Sequence, residues 1–142
     1  MDAQRIKKLS RARLKIAVYV RQDNLKKKIE SKIDSSSEIE GVVEIGRGGT
    51  IVKSKIIGPT IIGDNVTIES SEIGPYTSIS DNCQIINSRV ENSVLMRGVK
   101  IIDVVEHPVK GSLIGTDTEV LGTNGKTANT SIFVGEKSKI QV

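Results

Sequence analysis

Aliphatic residues recur along this chain with a fixed step of 17. Ile45, Ile62 and Ile79 form one column, Ile51, Ile68 and Ile85 a second, and Ile56, Ile73 and Val90 a third. A polar column, Ser54, Ser71 and Ser88, keeps the same step, as do Asp64 with Asp81 and Asn65 with Asn82. Within a period the aliphatic positions are 6, 5 and 6 residues apart. That spacing is too short for helices and suits three brief strands joined by tight corners. Each period is therefore one triangular coil, with Gly46, Gly58, Gly63, Gly74 and the Asp-Asn pairs supplying the turns. Coils stacked in parallel at about 4.8 Å turn the inward columns into continuous aliphatic ladders.

Carried forward, the period places Met96 and Ile102 in the first two columns and His107 in the third. There the regularity fails. Val104 to Gly111 reads as an insertion around Pro108, after which Ser112-Leu113-Ile114-Gly115 restores the pattern with 7 extra residues. Val120 follows in register, Leu121 to Ser131 reads as a loop rich in Gly, Asn and Thr, and Val134 and Ile140 close a last partial coil. The stack is thus expected to hold about four to five coils.

The segment before Gly41 has no glycine and follows other rules. Leu14, Ile16, Val18 and Val20 alternate with polar or small residues, a strand-like pattern. Asp23 or Asn24 is placed to cap a helix carrying Leu25, Ile29 and Ile33 on one face, and such a helix would cover the open end of the ladder. Ser35 to Ser37 reads as the linker. The expected organisation is a basic N-terminal segment over 1–37, partly helical, and a β-helix domain over 38–142.

Composition agrees with a narrow interior. Aromatic residues make up 2% of the 142 residues and Trp is absent, as expected where each level accepts only Ile or Val. No apolar run reaches the length of a membrane span and no secretory signal opens the chain, which points to a cytoplasmic protein. The net charge of +4 is uneven: residues 1–34 carry +7 and the remainder −3. A basic arm of this kind raises nucleic acid or anionic lipid as a partner, but no stacking aromatics accompany it, so a solvated charged face is the preferred reading.

The candidate chemistry is sparse. One cysteine and one histidine exclude an intrachain disulfide and a Cys/His metal cluster. Cys83 lies one step beyond Val66 in a column of small residues and reads as structural. Gly122-Thr123-Asn124-Gly125-Lys126-Thr127 ends like a phosphate-binding loop, yet its first glycine would fall at Val120, so it reads as a plain loop. Gly46-Arg47-Gly48-Gly49 reads as a corner rather than an anion nest, and Tyr76 as a corner residue. His107 is the sole candidate general base near neutral pH, and no pattern around it supports that role.

Ile57-Gly58-Pro59-Thr60-Ile61-Ile62-Gly63-Asp64-Asn65 and Ile73-Gly74-Pro75-Tyr76-Thr77-Ser78-Ile79 resemble the C-terminal domain of long-form glucose-1-phosphate thymidylyltransferases. Asn87-Ser88, Glu91-Asn92-Ser93, Ser112 to Gly115 and Val134 to Ile140 resemble its later coils, so the resemblance covers roughly Glu38 to Val142. It implies a left-handed parallel β-helix. It also implies that nucleotide transfer belongs to a separate N-terminal α/β domain, whose glycine-rich loop is not found in this chain. The expected function is a non-catalytic module for oligomerisation or for docking a nucleotidylyltransferase chain, with no cofactor, as a homotrimer first and a dimer second. Ile61, Ile86 and Val99, outside the three columns, are the expected contact residues. The alternative is a hexapeptide acyltransferase, also a fold the sequence resembles, acting on a sugar or sugar nucleotide with acetyl-CoA and with His107 as base.

Overall fold

A computed structural model describes residues 28–122, 133–134 and 139–141. In chain order the strands are β1 (Lys28–Ile33), β2 (Glu38–Glu40), β3 (Val43–Val52), β4 (Lys55–Ile57), β5 (Thr60–Ile62) and β6 (Thr67–Glu69). They continue as β7 (Glu72–Ile73), β8 (Thr77–Ile79), β9 (Gln84–Ile86), β10 (Arg89–Glu91), β11 (Val94–Leu95) and β12 (Lys100–Ile102). The last are β13 (Val109–Lys110), β14 (Leu113–Ile114), β15 (Glu119–Leu121), β16 (Phe133–Val134) and β17 (Lys139–Gln141). All pair in parallel, each strand with its counterpart one coil away, which makes the molecule a parallel β-solenoid of about five turns.

The larger sheet is two faces joined through β3. Val43 to Ile45 of β3 pair with β5, whereas Thr50 to Val52 pair with β6, so the chain bends at Gly46 to Gly49. The first face then runs through β5, β8, β11, β14 and β16, and the second through β6, β9, β12, β15 and β17. The third face is the separate sheet β2-β4-β7-β10-β13. Ile45, Ile62 and Ile79 stack on the first face, Ile51, Ile68 and Ile85 on the second, and Ile56, Ile73 and Val90 on the third, each at most 2% exposed.

The regular step changes after the third coil, and two column assignments move with it. Ile79 faces Leu95, not Met96, and Ile85 faces Ile101, not Ile102. Leu95 and Ile101 are fully buried while Met96 is 41% exposed. The cause lies at one corner. Gly74 to Thr77 there is replaced by Glu91-Asn92-Ser93, one residue shorter, and Asn92 turns the chain at φ 50°. The third column continues at Val109, which faces Val90, and His107 sits in the β12–β13 connection. The added residues there number 3 rather than 7, since 8 residues separate Ile101 from Val109 against 5 from Ile85 to Val90.

The N-terminal strand is a second correction. Lys28–Ile33 is a strand on β3, and no helix occurs among the described residues. A spacing of four, as between Ile29 and Ile33, fits an alternating strand as well as a helix, because four is also a multiple of two. Ile29 faces Ile45 and Ile33 faces Ile51, and both pack on the core. Ser31 between them reaches the bend of β3, where its hydroxyl donates to the Gly46 carbonyl (2.6 Å) and accepts from the Gly49 amide (3.1 Å). The strand-like pattern at Leu14 to Val20, the capping residues and Leu25 lie outside the described residues.

Most corners place one residue in the left-handed region; the corner at Gly58-Pro59 has a cis peptide bond instead. Along one edge these are Gly48, Asn65, Asn82, Gly98 and Asp117; along the next Lys53, Ser70, Asn87 and Asp103; along the third Gly41, Tyr76, Asn92 and Gly111. Polar side chains at the corners satisfy amides of neighbouring coils. Asp81 accepts from the Asp64 amide (2.7 Å) and Asp64 from the Arg47 amide (2.9 Å).

The serine column has the same purpose inside the stack. The Ser54 hydroxyl donates to the Val52 carbonyl (2.8 Å) and accepts from the Ser71 amide (3.1 Å). Ser71 repeats this with Glu69 (2.7 Å) and Ser88 (3.1 Å), and Ser88 with Ile86 (2.9 Å) and the Val104 amide (3.0 Å). Ser71→Ala would leave the Ser88 amide without its acceptor in a buried corner. The expected loss is about 1–3 kcal/mol in denaturant unfolding, the usual cost of an orphaned buried donor.

Candidate functional site

The expected single-residue sites do not converge. His107 is half-buried in the β12–β13 connection, and no hydrogen bond or ion pair to it is found among the described residues. Cys83 is wholly buried between Val66 and Val99 in the corner column, with its thiol donating to the Met96 carbonyl (3.1 Å). Burial pushes that thiol up to about 11, so it stays protonated near neutral pH. Val99 belongs to this same inner column and is 0% exposed, which removes it from the expected contact surface. Gly46 to Gly49 is the bend of β3, and Tyr76, 46% exposed, is a left-handed corner residue. Of the phosphate-loop-like stretch, all but Gly122 lies outside the described residues. Among the described residues no cluster of His, Cys, Asp or Glu is arranged to hold a metal ion, and no helix is long and apolar enough to cross a membrane.

The outer faces carry more information than any cleft. On the second face Ile86, Ile102 and Leu121 point outward in direct register, Ile86 beside Ile102 and Ile102 beside Leu121, and all three are half-buried. On the first face the outer column runs Ile61, Ser78, Val94 and Leu113, of which Ile61 and Leu113 are half-buried and Val94 is 9% exposed. Ile61 and Ile86 therefore lie on different faces. The third face is charged instead: Glu38, Lys55, Glu72 and Arg89 follow one another in register, alternating in sign.

The corner between the second and third faces holds an open groove of about 380 Å³, lined by Ser54, Ser71, Ser88, Lys53, Asn87 and Val105 among others, with the charged column as one wall. At its N-terminal end Asp34 accepts from the Ser36 and Ser37 hydroxyls and the Lys53 amide, which holds its carboxyl below the usual carboxylate range. The serine hydroxyls in the groove are engaged in the coil-to-coil bonds already described, so they offer little to a ligand.

A second polar column was not apparent from sequence. Thr60 and Thr77, which open β5 and β8, and Ser93 and Ser112, which immediately precede β11 and β14, are buried. Ser93 accepts from the Ser112 amide (3.2 Å), so Ser112 continues this column rather than that of Ser88. Its signal is present as Thr60 and Thr77 one period apart, but the 16-residue step to Ser93 breaks it.

These features define a three-faced parallel β-solenoid whose chemistry lies on its flat sides. In sequence the chain is 33% identical over 120 residues to a glucose-1-phosphate thymidylyltransferase from Streptomyces antibioticus. The match covers 84% of this chain and 33% of that protein, so the chain spans about a third of the length of its relative. No family model matches the chain. A solved structure of a "putative acetyltransferase" from Bacillus cereus aligns with a TM-score of 0.48 and 19% identity, covering 78% of this chain and 68% of the other.

Proposed function

We propose that this solenoid is an oligomerisation module related to the non-catalytic part of a sugar-1-phosphate nucleotidylyltransferase, and that its partner is a second copy of itself. The observation that carries this reading is the outward apolar row Ile86, Ile102 and Leu121. The core is complete without these side chains, and three aliphatic residues aligned on a flat sheet face form the kind of patch that marks a contact surface. The similarity to one third of a thymidylyltransferase supports the family setting.

Physics favours association by the same face. A coil of three short strands encloses little interior per residue, so the stack has a high ratio of surface to core and gains by burying a flat side. A closed cyclic arrangement buries the same row in every copy and leaves none exposed. The assembly is a homotrimer, with a dimer the second choice. Ile102→Lys puts a charge at the centre of the row, and the oligomer is expected to weaken by at least tenfold while the separated subunit keeps its β circular-dichroism signal. Light scattering in about 0.5 M salt that shows the same mass for Ile102→Lys and the wild type would refute the assignment of this face.

A further inference from the structure

We infer that the third face is a separate docking surface, and that it takes a second copy of this chain with its solenoid axis reversed. Glu38, Lys55, Glu72 and Arg89 stand on four successive coils, each directly beside the next. Their signs run minus, plus, minus, plus. Read in reverse the order is plus, minus, plus, minus, the exact complement.

A two-fold axis lying in the interface and running along the strands between the second and third coils of this column reverses the coil order and keeps each column opposite itself. Glu38 then meets Arg89 of the second copy and Lys55 meets Glu72, and the symmetry makes each pair twice. A parallel arrangement in register would set like charges against like, and is disfavoured.

Two further observations select this occupant. The first is spacing. Successive charges are one coil apart, about 4.8 Å, whereas an extended peptide presents same-side side chains at about 6.6 Å and a helix at about 5–6 Å along a curved surface. Another solenoid of this kind matches the interval over all four positions. The second is availability. Within the chain the column is only partly used, since the described ion pair on this face is the diagonal Lys55–Glu40 contact at 3.4 Å. Glu72 and Arg89 are neighbours, are both exposed, and form no ion pair with each other. One contact opposes the arrangement: Glu40 faces Glu91 of the second copy, and Lys55 beside Glu40 offsets it.

This contact is independent of the apolar row on the second face, and the two separate by salt. Exposed charge pairs are screened within about 8–10 Å at ordinary ionic strength, whereas apolar burial is not weakened by salt. The test uses the Ile102→Lys chain, in which the apolar contact is disabled. At low ionic strength and about 100 µM it is expected to reach a two-chain particle that dissociates in about 0.5 M salt. Adding Lys55→Glu sets Glu against Glu72 of the second copy and is expected to raise the dissociation constant at least tenfold. Adding Glu72→Lys to that variant reverses both partners and is expected to restore pairing to within about threefold. Arg89→Glu, which acts on the outer pair, weakens pairing in the same direction. A single-chain particle for Ile102→Lys at low salt, pairing indifferent to Lys55→Glu, or a double reversal that fails to restore it would each overturn the proposal. If the wild-type oligomer survives Ile102→Lys unchanged at high salt, the apolar assignment fails and the charged one is still read from the reversal pair.

Discussion

Ile85→Ala is expected to lower the unfolding free energy by about 2–5 kcal/mol, while Ile86→Ala, the next residue, costs about 1 kcal/mol or less. Ile85 is fully buried between Ile68 and Ile101, whereas Ile86 lies on the opposite side of the same strand and points outward. The same contrast tests the shortened coil. Leu95→Ala is expected to cost about as much as Ile85→Ala, because Leu95 fills the level between Ile79 and Ile114. Met96→Ala removes a side chain that is 41% exposed and is expected to change stability by about 0.5 kcal/mol at most. A strict 17-residue step predicts the reverse order for Leu95 and Met96. Denaturant unfolding of the four variants decides between the two registers.

Gly58→Ala is expected to be among the most damaging single-methyl additions in the chain. A methyl group there would lie 2.2 Å from the Val42 carbonyl oxygen and 2.7 Å from the Val42 nitrogen and carbonyl carbon. All three are backbone atoms, so no side chain can swing aside. The Gly58 amide also donates to Glu40 (2.7 Å), and the Val42 carbonyl accepts from Thr60 (3.3 Å), so separating the coils to make room breaks their coupling. The expected cost is at least about 4 kcal/mol, in the range where mutations diagnose a specific clash. Gly41→Ala is the control. Its added methyl meets nothing closer than 3.4 Å, and only the left-handed backbone at φ 76° opposes it, for about 1–2 kcal/mol. Melting temperatures within a few degrees of each other for the two variants would contradict the stacking geometry at this corner.

The period made the fold legible because Ile45, Ile62 and Ile79 and their companions serve one physical purpose at every level, and the same side chain meets it each time. Legibility ended where coils changed length. Trimming one residue at Asn92 and adding 3 before Val109 keeps the ladders intact in space while shifting their numbers, so a strict step of 17 points to Met96, Ile102 and His107 where Leu95, Ile101 and Val109 stand. Backbone pairing absorbs such changes at corners, where the chain is not part of a sheet. At the N-terminus the ambiguity was different, since Ile29 and Ile33 fit a helix or a strand by spacing alone and only the neighbouring β3 edge decides between them.

The charged column was present in the sequence at the same step of 17 as the isoleucines. Likeness of residue type does not reveal Glu38, Lys55, Glu72 and Arg89 as a column, because it alternates in sign. Val99 shows the opposite case: it falls outside the three aliphatic columns, yet it belongs to the buried corner column of Val66 and Cys83. Which apolar residues face outward depends on the register of every strand, so the row Ile86, Ile102 and Leu121 emerges only once the short fourth coil is known.

The most direct test of the assembly role is the absolute mass of the wild-type particle in about 0.5 M salt, where charged contacts are screened and apolar burial persists. Light scattering at about 10 µM is expected to give three times the chain mass of 15.4 kDa, or twice that mass if the closed form is the dimer. A stable 15.4 kDa particle under those conditions would contradict it.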